Sequence, residues 1–346
     1  MCTGLSYTTK DHYFGRNLDL EYSYGETVTI TPRNFTFEFR QCPALTTHYA
    51  IIGIAAVADD YPLYFDAVNE KGLGMAGLNF PGTAEYKPAA DQRTNVAPFE
   101  FIPWVLGQFE TVEDVKTALE TVNVLDVSFS QAFPVSPLHW IIADKERSIT
   151  VESVREGLRV YDNPFGVLTN NPTFDIQTFT LNNYQHLSAY PPENHFAPDV
   201  SLDTYSRGMG AIGLPGDLSS ASRFVKAVFT KMNSVAGESE SESISQFFHI
   251  LGSVAQQRGC VHVGDDGKFE ITIYSSCCNA DRGILYYTTY ENSQITAVDM
   301  HNEDLDGSAL VEYPMVKSQH VLAQNSPAGQ RPPNMTQPMD ATPTRT

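Results

Sequence analysis

The chain has 346 residues, of which 42% are hydrophobic, with 20 Phe and 17 Tyr, enough to pack one large core or two of ordinary size. Its 41 acidic residues outnumber its 22 basic ones, and a formal charge of −19 argues against nucleic acid or an anionic membrane surface as a partner. Five cysteines without CxxC spacing indicate neither a disulfide framework nor a zinc site, and fit a reducing, cytoplasmic setting. The first twenty residues have no basic start followed by an apolar run, so no secretory signal is expected. No stretch approaches the roughly 18 uninterrupted apolar residues needed to span a bilayer, so no membrane partner is expected.

Thr3 to Tyr7 reads as a strand, Thr8 to Asp11 as a turn and His12 to Asn17 as a second strand. Cys2 precedes this hairpin. A residue at position 2 is often ordinary, but a small side chain there permits removal of Met1. Cys2 would then carry both a thiol and a free α-amine, which titrates near pH 8 and can take the thiol proton. The hairpin returns Arg16, Asn17 and Asp19 beside Cys2. A guanidinium there favours a thiolate, and the Asp19 carboxylate can hold an ammonium group. An Arg–Asp pair beside a turn is also a common surface feature.

Further along, Glu26 to Pro32, Phe35 to Phe39 and Tyr49 to Val57 read as short strands. Tyr64 to Asn69 and Leu73 to Phe80 form a hairpin about Glu70-Lys71-Gly72, and Gly74, Ala76 and Gly77 suit a close approach of backbones or of a ligand. Phe99 to Phe109 and Val112 to Val122 have helical spacing, with Thr111 as a cap. Leu138 to Ala143, Ser148 to Val154 and Leu158 to Tyr161 read as an antiparallel meander. Residues 174–189 read as helix, and 190–217 as a long Pro- and Gly-rich excursion of the kind that carries function or subunit contacts. Ser219 or Ser220 caps a helix through Arg223, and Ser241 or Ser243 starts another, to about Gln256. Phe269 to Ser275, Ile284 to Tyr290 and Ile295 to Met300 are late strands. From 319 the composition turns Gln-, Pro-, Asn- and Thr-rich, so one domain is expected over 2–318 and a disordered tail over 319–346. Strand blocks separated by helices predict an α+β fold of two packed sheets with helices outside.

The stretches MCTG, YFGRNLDLEYSYGE, DYPLYFDAVNEKGLGMAGLNFPG, LHWIIAD, GVLTNNPTFD and GLPGDLSSASRF, with the late YYTTYENSQITAVDM, resemble the choloylglycine hydrolase family of N-terminal nucleophile hydrolases over residues 2–315. That family contains bile salt hydrolases and penicillin V acylases. The resemblance implies a four-layer αββα sandwich with Cys2 at a strand end between the sheets. It implies Cys2 as nucleophile, Arg16 and Asp19 beside it, and Arg223 as the last polar site residue. Asn79 matches the position that is Asn in bile salt hydrolases and typically Tyr in penicillin V acylases, and Asn170 the oxyanion Asn of the T-N-x-P pattern, leaving Asn171 to the turn. The implied reaction is hydrolysis of glycine- or taurine-conjugated bile salts, with penicillin V as the alternative substrate, no cofactor, and a homotetramer whose assembly loop is 190–217. A steroid pocket is assigned to Leu20, Tyr24, Phe65 and the Phe129 to Pro137 loop.

The residues fit these roles independently, because attack on an amide creates an oxyanion that Asn side-chain NH₂ groups can stabilise. On their own, Asn170 before a proline reads as a turn residue, Asn79 as a strand end and Arg223 as a surface charge on a helix. Gly208-Met-Gly210-Ala-Ile-Gly213 matches GxGxxG but lacks the strand before it and the helix after it, so it reads as a loop. Cys260 and His262 have no second pair to complete a metal site, so no metal is expected, and His139, in an apolar strand, reads as a satisfied core histidine.

Overall fold

The computed structural model describes residues 1–323. The tail expected over 319–346 lies, from residue 324 on, outside the described residues. At its start, Gln319 accepts from the Ser293 N–H at 3.2 Å and the His320 N–H donates to Asn292 at 3.2 Å.

Strands β1 (Cys2–Thr8) and β2 (His12–Leu20) form the opening hairpin. β3 (Thr27–Thr31), β4 (Ile51–Ala58), β5 (Tyr61–Asn69) and β6 (Gly74–Asn79) follow as a meander. Short β7 (Thr94–Val96) and β8 (Val122–Val124) pair in parallel across helices α1 (Phe101–Leu106) and α2 (Val112–Leu119). Next come β9 (Leu138–Ala143), β10 (Ser148–Val154), β11 (Gly157–Asp162) and the two-residue β12 (Val167–Leu168). Helices α3 (Phe174–Thr180), α4 (Ser220–Asn233) and α5 (Glu240–Gly252) lead to the small hairpin of β13 (His262–Val263) and β14 (Lys268–Phe269). β15 (Ile271–Asn279), β16 (Ile284–Thr289), β17 (Thr296–Asp299) and β18 (Val311–Pro314) close the described chain.

Two large antiparallel sheets result. One has the order β12-β1-β2-β15-β16-β17, the other β11-β10-β9-β6-β5-β4-β3-β18. The two-residue period of strands explains how they stack. On β4, Ile52 and Ile54 join the core shared with the first sheet, while Ile51 and Ala55 belong to the core that holds Phe101, Trp104 and Val105 of α1. Helices α4 and α5 pack on β1, β2 and β15 from the other side. The layers are therefore helix, sheet, sheet, helix, the αββα sandwich expected.

Several local expectations shift. The helix expected over 174–189 stops at Thr180 and continues only as a 3₁₀ turn over Leu181–Tyr184. There the Asn182 amide donates to the Phe179 carbonyl at 2.8 Å, a local bond that competes with helix propagation. Phe35 to Phe39 is not a strand but a single bridge between Phe37 and Leu45. The helical spacing over Phe99 to Phe109 yields a 3₁₀ turn over Pro98–Glu100 and the short α1, followed by Gly107. Thr111 caps α2 as expected, and of the two candidates for α4 it is Ser219. α5 begins earlier than expected, because Ser239 and Glu242 form a reciprocal capping box, and it ends at Gly252.

Gly15 and Gly74 mark where backbones crowd. A Cβ on Gly15 would lie 2.1 Å from the Ser276 carbonyl oxygen of β15, and one on Gly74 would lie 2.5 Å from the Phe14 ring. Gly208-Met-Gly210-Ala-Ile-Gly213 is a loop with one 3₁₀ turn, Met209–Ala211.

Candidate active site

The register of the opening hairpin sets Cys2 opposite Leu18, Thr3 opposite Asn17 and Gly4 opposite Arg16. Residues directly opposite share a face, so Cys2, Leu18 and Arg16 lie on the side of the second sheet and Asp19 on the side of the helices. Arg16 crosses to the second sheet, donating from Nη1 to the carbonyls of Phe65 at 3.1 Å and Gly77 at 2.5 Å. Its buried Nη2 has no hydrogen-bond partner among the described residues. Asp19 accepts from the Thr272 hydroxyl at 2.6 Å through Oδ1, while Oδ2 makes no hydrogen bond among the described residues and stands 3.8 Å from Arg223 Nη1.

Asn170, 168 residues from Cys2 in sequence, arrives just after β12, the neighbour of β1. Its Oδ1 accepts from the Cys2 N–H at 2.8 Å and from Arg223 Nη2 at 2.7 Å, while its Nδ2 donates to the Asn79 backbone carbonyl at 2.7 Å. Arg223, in the first turn of α4, points inward. Its Nη1 donates to the Cys2 carbonyl at 2.6 Å and to the Thr3 hydroxyl at 2.7 Å, and its Nε to the Leu218 carbonyl at 3.0 Å. The surface role open to Arg223 from sequence is thus excluded, since its side chain is 1% exposed. Asn79 ends β6, half-buried. Asn171, which the resemblance leaves to the turn, donates to the Pro81 carbonyl at 3.0 Å and the Thr83 hydroxyl at 2.7 Å.

Burial dominates the electrostatics. It holds the Asp19 carboxyl above its ordinary value although Arg223 and the Thr272 hydroxyl favour the charged form. It also lowers the Arg223 guanidinium, against the attraction of Asp19 and Cys2. Burial opposes the Arg16 charge too, yet Cys2, Tyr274, Asp66 and Asp19 together leave it raised. The Met1 ammonium is lowered by burial; it donates to the Asp19 carbonyl at 2.7 Å and pairs with Glu270.

Some supporting residues escape sequence reasoning. Ser220 receives the Asn170 N–H at 2.8 Å, and Gln177 donates to the Asn170 carbonyl. Beneath Arg16, Asp66 accepts from Tyr274 at 2.5 Å and Ser276 at 2.7 Å. Asp66 alone carried a signal, an acidic residue in an otherwise apolar strand. The others look like ordinary helix and strand polars. Among the described residues, no group of three His, Cys, Asp or Glu side chains is arranged to hold a metal ion.

A cavity of about 420 Å³ opens beside the cluster. Tyr24, Phe65, Phe129 and much of the loop to Pro137 line it, together with Tyr22 and Phe99. Gly77 and Phe65, whose carbonyls Arg16 holds, belong to the same wall. Leu20 is not among the lining residues: it pairs with Ile271 and packs against the core, and Tyr22 and Tyr24 face the cavity.

Residues 2–313 match the family model for linear amide C–N hydrolases of the choloylglycine hydrolase family. A bile salt hydrolase/transferase of Lactiplantibacillus plantarum is 56% identical over 325 residues, covering 94% of this chain and all (100%) of that one. Another, from Clostridium perfringens, is 43% identical over 318 residues, covering 90% of this chain and 96% of its own. The crystal structure of a conjugated bile acid hydrolase variant from Clostridium perfringens superposes with a TM-score of 0.87 at 42% identity, over 94% of this chain and 100% of that one. A penicillin V acylase from Agrobacterium tumefaciens shares the fold, with a TM-score of 0.68 at 22% identity over 90% of each chain.

Proposed function

The chain belongs to the choloylglycine hydrolase family of linear amide C–N hydrolases, and from that premise we propose that it hydrolyses glycine- or taurine-conjugated bile salts with Cys2, freed of Met1, as nucleophile. The observation that carries this reading is the convergence on Cys2. Asn170 Oδ1 accepts from its N–H at 2.8 Å and Arg223 Nη1 donates to its carbonyl at 2.6 Å. With Met1 removed, that nitrogen becomes an α-amine held at the same acceptor, and the Asp19 carboxylate of the same hairpin is read as the partner of its charged form. The amine takes the thiol proton, and the sulfur attacks the amide carbonyl. Asn79 and the second Nδ2 hydrogen of Asn170 serve the oxyanion, each such donor being worth about 3 kcal/mol of barrier. The ammonium returns its proton to the amide nitrogen, the C–N bond breaks, and glycine or taurine leaves. Water then cleaves the thioester, releasing the bile acid and restoring the thiol.

The aromatic cavity suits a steroid: its volume lies within the usual range for small-molecule sites, and Phe65 and Gly77, whose carbonyls Arg16 holds, belong to its wall. Residues 2–318 form the catalytic domain in this reading. We read the assembly as a homotetramer and the setting as cytoplasmic, where reducing conditions would keep the five free thiols, Cys2 among them, reduced.

The test is hydrolysis of glycocholate, taurocholate and penicillin V by purified protein and by Cys2→Ser, with intact mass before and after iodoacetamide. Release of glycine or taurine that disappears in the variant, with Met1 absent and one rapid alkylation at Cys2, supports the reading. Turnover of penicillin V alone keeps the mechanism and moves the substrate. No turnover by Met1-free protein sinks the function and leaves the fold standing.

A further inference from the structure

The second sheet carries a pair of polar side chains with no solvent exposure and no part in the reaction as derived above. His139 on β9 and Glu152 on β10 face each other across the ladder, both 0% exposed, with Nδ1 and Oε1 3.1 Å apart. The other ring nitrogen, Nε2, lies 2.8 Å from the Thr169 carbonyl oxygen. That oxygen can only accept, so Nε2 carries a hydrogen, and a second hydrogen lies between Nδ1 and the carboxyl group. Glu152 Oε1 also accepts the Phe174 N–H at 3.0 Å, in the first turn of α3, while its buried Oε2 has no partner among the described residues.

What the pair touches gives it a function. Thr169 immediately precedes Asn170, and the Phe80 ring immediately after Asn79 stacks on the His139 ring at 4.1 Å with an interplanar angle of 6°. The imidazole is thus wedged between the two segments that bring Asn79 and Asn170 to Cys2. Thr169 is anchored again by its own hydroxyl, whose one hydrogen has two acceptors in reach, Gln177 Oε1 at 2.9 Å and the Ser220 carbonyl at 3.0 Å. A charged or proton-sharing pair in a dry interior is costly unless its geometry is held. Its placement behind both asparagines points to orientation of the site.

We propose that His139 and Glu152 are positioning residues for the amide hydrolysis, a buried pair that holds Asn170 directly through Thr169, and Asn79 through Phe80, at their places beside Cys2. This rests on the reading of Asn79 and Asn170 as site residues. The pair contacts neither the nucleophile nor the cavity, and acts only through the segments it braces.

The experiment compares wild-type enzyme with Glu152→Gln and with the double variant His139→Phe/Glu152→Met. The double variant keeps the ring against Phe80 and most of the volume, and removes both partners of the pair together, so no lone buried charge remains. Steady-state kinetics on glycocholate are paired with the pH dependence of Cys2 alkylation by iodoacetamide in Met1-free protein. Small displacements of oriented groups reduce turnover, so kcat is expected to fall about tenfold in the double variant and about threefold in Glu152→Gln, with KM changed by less than about twofold. The midpoint of alkylation is expected to shift in the double variant, because Asn170 Oδ1 is the acceptor for the Cys2 nitrogen. Wild-type kcat in both variants, or a loss confined to KM, overturns the proposal. If the double variant does not fold, wild-type kcat and an unchanged alkylation profile in Glu152→Gln overturn it equally. A wild-type enzyme that hydrolyses no conjugate overturns the functional reading instead, and the alkylation comparison still decides whether the pair positions Asn170.

Discussion

At the scale of single residues, the candidate site is a set of buried polar groups whose partners are one another. Asn170 is the most heavily used, accepting from Cys2 and Arg223 and donating to the Asn79 carbonyl. Asn170→Ala removes an acceptor from a buried guanidinium and, in the proposed mechanism, an oxyanion donor. It is expected to lower kcat by about 10²–10³-fold in hydrolysis assays, with a smaller loss of thermal stability. Asp19 gives a pH signature. Burial holds its carboxyl above the ordinary aspartate value, so it takes up a proton at a higher pH than an exposed aspartate, and in the proposed mechanism it would then no longer hold the Cys2 ammonium. The acid limb of kcat/KM is expected above the ordinary value of 3.8, and Asp19→Asn should flatten that limb while lowering activity at neutral pH, which a pH–rate profile reads directly. Cys2, Arg16 and Asp19 are legible in sequence because one hairpin carries all three. Asn170 and Arg223 are legible only through resemblance, since taken locally they are a turn residue before a proline and a charge on a helix.

The element that matters most is the β1–β2 hairpin, and two of its residues show what it costs to build. Gly15 lies where β15 presses on β2, with the Ser276 carbonyl oxygen 2.1 Å from the place a Cβ would take. Gly15→Ala therefore forces backbone apart in the middle of the first sheet, and a loss of about 3 kcal/mol is expected in denaturant unfolding. His12, at the far end of the hairpin, is buried with Nε2 3.0 Å from the Ser6 hydroxyl. Burial lowers its pKa from 6.5 to about 4, so between those values the unfolded chain binds more protons than the folded one. Stability from this residue is complete above pH 6.5 and is lost as pH falls toward 4, by roughly 3 kcal/mol. Thermal melts from pH 7 to pH 4.5 should show that decline, and His12→Gln should remove most of this residue's share of it. Strand existence was readable from two-residue alternation and tight turns, which is why β9 and β10 have the bounds read from the sequence. The two-residue β12 was not, because so short a strand has no period of its own and exists only by pairing with Gly4 and Leu5.

At the scale of the whole molecule, the segment 176–212 leaves large apolar side chains in water, with Phe179 at 74%, Tyr190 at 79%, Phe196 at 92% and Tyr205 at 85% exposure. An apolar surface of this kind is what a homotetramer would cover. Light scattering is expected to give about four times the 38.3 kDa chain mass, and Phe196→Asp with Tyr205→Asp should yield smaller species; a wild-type monomer at micromolar concentration would contradict the assembly. The sandwich follows from quantities written along the chain: the alternation that gives each strand two apolar faces, the turns between them, and the helical spacing of α4 and α5. The sequence by itself also determined that a nucleophile and its base can coincide at Cys2, because that needs only one residue at one end. Tertiary structure alone decided that Arg223 turns inward, that Tyr22 rather than Leu20 faces the cavity, and that His139 braces Thr169. Each of these depends on a buried contact between segments far apart in sequence, 221 residues apart for Arg223 and Cys2. Local propensity extends over a turn or two, whereas the desolvation that forces such groups to find one another exists only after the sheets and helices have closed over them.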